Sequence, residues 1–258
     1  MTAAYRPALG FTTLFRKEVL RFMRVPGQTL LSPLVTTVLY FLVFGLTLNV
    51  RQGADPRESY ARFIVPGLIM LGVISNTYLN TTSSMFTMKV QGTIIDLLVT
   101  PLTYGQILTA FVAAATVRGF MVGGSMWVVA GLFTTFDVAH PVVALSFILL
   151  VATFFSTTGL IAAIWADKFE QVNLIPTFLI TPLTFLGGVF YSVDRLPGVF
   201  RQIARLNPVL YMVEGMRFGL LGHADVPPWT GLLILVGLNG VAFAVAYRFL
   251  QSGYKLRG

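Results

Sequence analysis

An all-helical, multi-spanning membrane protein is the fold class that this sequence predicts, and three observations carry the prediction. Of 258 residues, 55% are hydrophobic and only 11% are charged, whereas an ordinary soluble domain carries about 25% charged residues. So little polar surface cannot solvate a ball of this size, and lipid is the alternative solvent. The charges that do occur are clustered, which leaves long tracts free of Asp, Glu, Lys and Arg. No strand-like alternation of polar and apolar residues is evident, which argues against a membrane barrel.

A spanning helix needs about 20 mostly apolar residues. Six segments meet that need, centred on Thr29–Leu48, Phe63–Tyr78, Ile107–Phe133, Val142–Trp165, Leu174–Tyr191 and Leu232–Leu250. Arg118 interrupts the third tract, but no turn chemistry surrounds it, so one long helix is expected to run through it. The first segment is too long for the apolar part of a cleaved signal peptide and is expected to remain as a helix. Pro176 and Pro182 remove backbone donors from the fifth segment and are expected to kink it.

Orientation follows from the basic residues that flank the spans. Arg6, Arg16, Lys17, Arg21 and Arg24 precede the first, and Arg248, Lys255 and Arg257 close the chain. Both termini are therefore expected in the cytoplasm. Residues 192–228 then lie outside, although they hold Arg195, Arg201, Arg205 and Arg217 against the rule. The net charge of +8 sits mainly where apolar runs meet lipid headgroups. The expected partner of these charges is the bilayer, and no nucleic acid.

The segments between spans are more informative. Residues 9–24 form an interfacial amphipathic helix, with Phe11, Leu14, Phe15, Val19 and Phe22 on one face and Arg16, Lys17, Arg21 and Arg24 on the other. Glu18 projects from the apolar face, where a lone carboxylate is costly. It either bridges locally to Arg21 or fixes another cytoplasmic element by a buried ion pair. Within residues 89–100, Thr93 and Asp96 resemble a capping box that opens a short cytoplasmic helix, and Pro101 closes it. Thr103 and Gln106 resemble a second capping box, at the start of span three. Ile94, Ile95, Leu97 and Leu98 make the short helix either an interfacial connector or a docking element for a soluble partner. Residues 192–221 divide at Asn207-Pro208, where Asn suits an N-cap and Pro the first helical position. Two short amphipathic helices that dip into the outer half of the membrane and return fit this segment, with its arginines pairing with Glu214 or with headgroups.

Catalytic and metal chemistry is not expected. The sequence has no P-loop, no H-E-x-x-H motif and no cysteine, and its two histidines, His140 and His223, lie in predicted external loops. Gly123-Gly124-Ser125 is read as small-residue helix packing. Arg118 is the one clear intramembrane charge. It serves either as a structural group bonded to carbonyls or as a contact for an anionic substrate headgroup.

The order of these elements resembles the ABC type-2 transporter permeases over essentially the whole chain. The strings that carry the resemblance are Phe15-Arg-Lys-Glu-Val-Leu-Arg-Phe22, Phe63-Ile-Val-Pro-Gly-Leu-Ile69, Asp96-Leu-Leu-Val-Thr-Pro-Leu102, Thr181-Pro-Leu-Thr-Phe-Leu-Gly-Gly-Val-Phe-Tyr191, and Leu206-Asn-Pro-Val-Leu-Tyr-Met212 followed by Glu214-Gly-Met-Arg217. They look closest to a bacterial inner-membrane branch. Nodulation-factor, daunorubicin-resistance and O-antigen exporter permeases are more distant. The resemblance implies a dimer with a second copy of the chain, bound to two copies of a separate nucleotide-binding ATPase subunit. This chain would bind no cofactor; ATP and Mg would act through the partner. Residues 89–100, with Thr93, Ile94, Ile95, Asp96, Leu97 and Leu98, would be the coupling helix, with Glu18 on the connecting helix beside it. Residues 192–221 would be a re-entrant gate. Phe190, Tyr191, Asn207, Pro208, Tyr211, Glu214 and Arg217, together with Arg118, would line the path or gate. The expected cargo is an amphipathic drug, lipid or lipid-linked glycan, moved outward. The alternative is a secondary carrier or channel not driven by ATP, for which Arg118 is the only evident coupling charge.

Overall fold

The computed structural model describes residues 7–46, 60–134 and 138–256, and among these every regular element is helical. Arg6, Arg257 and the last two residues of the expected first span, Thr47 and Leu48, lie outside the described residues. The first helix, α1 (Pro7–Met23), has the expected amphipathic seating: Leu14 and Phe22 are buried, while Arg16 and Lys17 are exposed. The chain then bends by 76° at Arg24–Pro26. It continues through a wide π turn (Gly27–Leu31), α2 (Ser32–Tyr40) and a second π turn (Phe41–Leu46).

Next come α3 (Tyr60–Val90), α4 (Ile94–Leu98), α5 (Tyr104–Ala130) and α6 (Pro141–Trp165). Helix α5 passes through Arg118 without a break, as the sequence suggested. Its N-terminus carries the expected reciprocal cap: Gln106 N donates to Thr103 Oγ1 at 3.2 Å and Thr103 N donates to Gln106 Oε1 at 3.0 Å. The fifth predicted segment is built from α7 (Phe169–Ile175), a π turn (Pro176–Ile180) and α8 (Thr181–Leu186). The chain ends with α9 (Gly198–Leu206), α10 (Pro208–Leu221) and α11 (Pro228–Ser252).

Six uninterrupted spans are not what results. Among the described residues, four helices are long and apolar enough to cross a membrane alone: α3, α5, α6 and α11. A fifth is added if the bent pair at α1 and α2 counts as one span. Residues 169–186 are broken where Pro176 and Pro182 were expected to kink them, but into pieces too short to cross a membrane alone. The helix also stops at Leu186, five residues short of Tyr191, where Gly187 and Gly188 turn the chain and Gly188 takes φ +74°.

Helices α3, α5 and α6 form the packed centre. Small residues let them approach: a Cβ at Gly159 would lie 2.6 Å from the Tyr78 carbonyl oxygen, and Thr82 Oγ1 donates to the Gly159 carbonyl at 3.1 Å. Gly123 meets Val73 in the same way, so that part of the Gly-Gly-Ser string does serve packing. In contrast, α11 keeps Leu233, Val236 and Val241 exposed, the surface expected of a helix that faces lipid.

Hydrogen bonds define two ends. At one, Lys89 on α3 meets the end of α6 and α4 follows directly. At the other, the Tyr60 hydroxyl donates to the Phe190 carbonyl at 2.7 Å, and His140 N, just before α6, donates to the Gly219 carbonyl at 2.8 Å.

Candidate functional site

The α4 end is built on a reversal at Gly92, whose φ of +74° suits glycine best. Helix α4 is one and a half turns long, and the two sides of it differ. Ile94 and Leu97 are buried in a cluster with Leu14 of α1, Met85 and Phe86 of α3 and Phe111 of α5. Ile95 is 54% exposed, and Thr93, Asp96 and Val99 are also exposed, with Leu98 half-buried. The sequence reading offered all four of Ile94, Ile95, Leu97 and Leu98 to a partner. The structure withdraws Ile94 and Leu97, because their i, i+3 spacing puts them on the face that anchors α4 to its own chain. The expected Thr93–Asp96 cap is not formed. Thr93 has helical backbone angles (φ −70°, ψ −6°) and makes no cap bond; its hydroxyl donates to the Met88 carbonyl at 3.4 Å. Lys89 and Val90 belong to α3 rather than to α4.

Glu18 is buried, and its partners combine the two readings offered for it. Arg21 Nε donates to Oε2 at 3.1 Å and Lys17 Nζ lies 3.2 Å from Oε1. The cross-element contact is the Ser84 hydroxyl of α3, which donates to Oε2 at 2.7 Å. The ion pairs are thus local, and Glu18 is tied to the end of α3 and not to α4. From there a polar chain runs inward. Arg21 Nη2 donates to the Asn80 carbonyl at 2.7 Å and to Asn80 Oδ1 at 2.9 Å. Arg118 donates to Asn80 Oδ1 at 3.3 Å and to Asn76 Oδ1 at 3.0 Å. Arg118 therefore sits on side-chain amides rather than backbone carbonyls, and it groups with the α4 end. Asn76, Asn80 and Ser84 were missed in the sequence. Their spacing of four residues in an apolar helix, which puts polar groups in one stripe, was the available signal.

A second node at this end caps α6. Lys89 Nζ donates to the carbonyls of Ile164 (2.8 Å) and Ala166 (2.6 Å), and Lys255 Nζ to that of Trp165 (3.1 Å). Both ammonium groups also meet the Asp167 carboxylate. Cations at a helix C-terminus satisfy its free carbonyls and oppose its dipole. The hydrogen bond from Lys255 is the main cause that holds the Asp167 carboxyl below the usual carboxylate range, and the same bond raises the Lys255 ammonium above its ordinary value.

At the opposite end, Asn207 caps α10 as expected: Val209 N donates to its Oδ1 at 2.9 Å, with Pro208 at the first helical position. Its Nδ2 also donates to the Leu183 carbonyl at 2.5 Å, which joins α10 to α8. Glu214 and Arg217 form a buried ion pair. Arg217 Nη2 donates to the Gly188 carbonyl at 2.9 Å, and its guanidinium lies 4.1 Å from the centre of the Phe63 ring. Asp225 N donates to Glu214 Oε2 at 2.7 Å. The pair thereby ties α10 to the Gly188 turn, to α3 and to the loop before α11. Tyr211 donates to the Arg205 carbonyl at 2.8 Å. The Phe190 ring lies tilted against those of Tyr40 and Phe185, and Tyr191 is half-buried beside Val193 and Leu210. Arg205 pairs with Asp194 at 3.6 Å, and Arg201 reaches the Asp194 carbonyl. Most of the arginines that broke the charge rule are thus held by this segment's own acceptors.

Helix α10 packs on α3, α6 and α11 and is largely buried. Helix α9 is more open, with Val199, Phe200 and Ile203 exposed together.

A bundle of apolar helices, with polar nodes buried at both ends, defines a polytopic membrane protein. Residues 10–221 match the family described as ABC-2 type transporter, and the chain belongs to that family of membrane transport permeases. It is 40% identical over 249 residues to the inner membrane transport permease YadH of Escherichia coli K12, covering 96% of this chain and 97% of that protein. It is 27% identical over 260 residues to nodulation protein J of Rhizobium leguminosarum bv. viciae, covering 100% and 98%. To nodulation protein J of Rhizobium meliloti it is 26% identical over 257 residues, covering 97% and 95%.

Proposed function

We propose that this chain is the membrane subunit of an ATP-driven exporter in a bacterial inner membrane, and that it moves an amphipathic substrate outward. The observation that carries the reading is the division of labour on α4, in a family member that lacks a P-loop. One edge, Ile94 and Leu97, is keyed into α1, α3 and α5. The other, Ile95, Asp96 and Val99, is left at the surface. An apolar edge with one carboxylate suits a soluble partner that exerts force, and a separate ATPase subunit is that partner. Two chains and two ATPases would make the working unit, with both termini and α4 in the cytoplasm. The six membrane crossings would then comprise the bent α1–α2 unit as one and the broken α7–α8 unit as another. Residues 192–221 would serve as the gate at the far end, with Glu214 and Arg217 as its anchor.

The test is purification of the tagged chain from its native membrane under mild detergent. An ATPase subunit is expected to co-purify, and the reconstituted complex should transport only with hydrolysable ATP. Full transport by the chain alone, or transport that an uncoupler abolishes while ATP is maintained, would overturn the reading in favour of a secondary carrier.

A further inference from the structure

The structure sets Arg118 beside a cavity. It has a volume of 680 Å³, within the usual size of small-molecule sites, and lies between α1, α2, α3 and α5. Its walls divide by chemistry. Arg21, Arg118 and Asn76 meet on one side, with Ser32, Thr36 and Ser75 along the wall. Leu68, Leu71, Val25 and Met126 supply an apolar remainder.

The charge balance on the polar side is incomplete. Arg21 has the Glu18 carboxylate. Arg118 has no carboxylate partner among the described residues: its acceptors are two amide oxygens, and its buried Nε has no hydrogen-bond partner. Asn80 Oδ1 accepts from both guanidiniums at once, so two like charges that line the cavity converge on one buried neutral oxygen. Phe22 flanks Arg118, 5.9 Å from its guanidinium carbon. Converging guanidiniums with unspent donors match a phosphate or carboxylate in geometry and in charge. An apolar wall beside them matches a hydrocarbon tail. The position beside α1, whose amphipathic face lies at headgroup level, matches an amphiphile that enters from the leaflet on the α4 side.

We infer that the cavity between α1, α2, α3 and α5 is a binding site for the anionic headgroup of an amphiphile, with Arg21 and Arg118 as its charge and Asn76 and Asn80 as the groups that position them. The site itself rests on this geometry. Only its use by cargo rests on the permease reading.

The experiment measures lipid binding to the purified full chain in detergent by native mass spectrometry, without an ATPase. The probes are dioleoylphosphatidylglycerol, dioleoylphosphatidylcholine and inorganic phosphate. The anionic lipid is expected to bind more tightly than the zwitterionic one. Inorganic phosphate is expected to compete weakly, because it lacks the tail. Arg118→Gln removes charge-assisted hydrogen bonds and should weaken the anionic lipid by about tenfold or more, whereas Arg118→Lys, which keeps the charge but not the fork, should fall between. Ser146→Ala, a neutral change on α6 outside the cavity lining, should change nothing. Equal binding of the two lipids by the wild-type chain overturns the inference, and this comparison stands even if Arg118→Gln fails to fold. Wild-type affinity in a folded Arg118→Gln chain also overturns it. Displacement of the lipid by phosphate at equal concentration would mean that a free anion is the ligand, and would overturn the assignment to an amphiphile. Proteoliposomes containing the co-purified ATPase then separate the two sources of amphiphile. ATP-dependent movement of a fluorescent phosphatidylglycerol between leaflets marks cargo, and retention without movement marks a resident lipid. Either outcome upholds the site, and loss of ATPase association alone leaves the binding result intact.

Discussion

Arg217→Met is expected to be among the most damaging single changes outside the packed centre, and the structure supplies the magnitude. The side chain is 2% exposed, and its partner Glu214 is 1% exposed. Loss of the guanidinium takes the donor from the Gly188 carbonyl and the cation from the Phe63 ring. It leaves the Glu214 carboxylate with the Asp225 N–H as its hydrogen-bond donor among the described residues. Stranding one member of a buried pair costs about 3–5 kcal/mol. Glu214→Gln is expected to cost a similar amount by stranding Arg217, although its amide oxygen can still accept from Asp225 N. The double variant Glu214→Gln/Arg217→Met buries no charge. It should therefore be no less stable than either single change, because an apolar replacement of a buried pair is often neutral or better. The assay is a double-mutant cycle on unfolding in mixed micelles, followed by circular dichroism. These costs imply a coupling energy of about 3 kcal/mol or more, at the top of the range for residues in contact. Additivity within about 0.5 kcal/mol, the behaviour of independent sites, would refute the view that these groups act as one buried anchor.

Two further predictions concern the α4 end. Ile95→Glu alters only an exposed face and should leave stability within about 0.5 kcal/mol while abolishing ATPase co-purification; Leu97→Ala opens the buried cluster and should cost about 2–5 kcal/mol, and equal effects of the two on thermal unfolding would contradict the assigned faces. The Asp167 node should depend on pH in a defined direction. The depressed carboxyl contributes stability that is present above the ordinary carboxylate range and is lost as pH falls through the depressed value, whereas the raised Lys255 contributes stability that is complete below its ordinary range and is lost as pH rises through the raised value. Trp165, whose ring lies 6.0 Å from Lys255 Nζ, reports both limbs by fluorescence in a chain with Trp127 and Trp229 replaced by Phe. Asp167→Asn should remove the acid limb, and persistence of that limb would assign it elsewhere.

The legible parts of the sequence were those fixed by local chemistry. Asn207-Pro208 and Thr103 with Gln106 were read correctly because a cap needs only a few consecutive residues. Thr93 with Asp96 carried the same pattern but failed, because Thr93 is already helical and cannot aim its hydroxyl at the following N–H groups. Asp is also one methylene shorter than the Gln that reaches back at Thr103. The partition of α4 was readable in part, since Ile94 and Leu97 share a face. Which face would turn inward depended on Leu14, Met85 and Phe111, brought together from three other helices. At residues 169–186 the prolines were legible as a kink, but the extent of the break, which leaves no piece long enough to span alone, was not. The arginines of residues 192–221 looked anomalous only while their acceptors, Asp194 and the Gly188 carbonyl, were unknown.

Helix α3 is the element through which the two ends are joined. Phe63 and Tyr60, near its start, contact the Arg217 guanidinium and the Phe190 carbonyl. Asn80 and Ser84 hold α1 through Arg21 and Glu18, Asn76 and Asn80 hold α5 through Arg118, and Lys89 caps α6. Pro66 lies inside it, just after Phe63, and from Gly67 to Val90 it contains no further proline and is largely buried. Other prolines fall at the bend after α1 (Pro26), at the start of α2 (Pro33) and within residues 176–182 (Pro176 and Pro182). A load applied at α4 enters the same apolar cluster as Leu14, so it reaches α1 and α3 together. Close packing resists continuous deformation, whereas helix breaks concentrate bending. The load is therefore expected to move the Gly67–Val90 stretch of α3 as a unit, with bending concentrated at Pro66, between the Arg118 cavity and the Phe63 contact to Arg217, and at Pro26 beside the cavity.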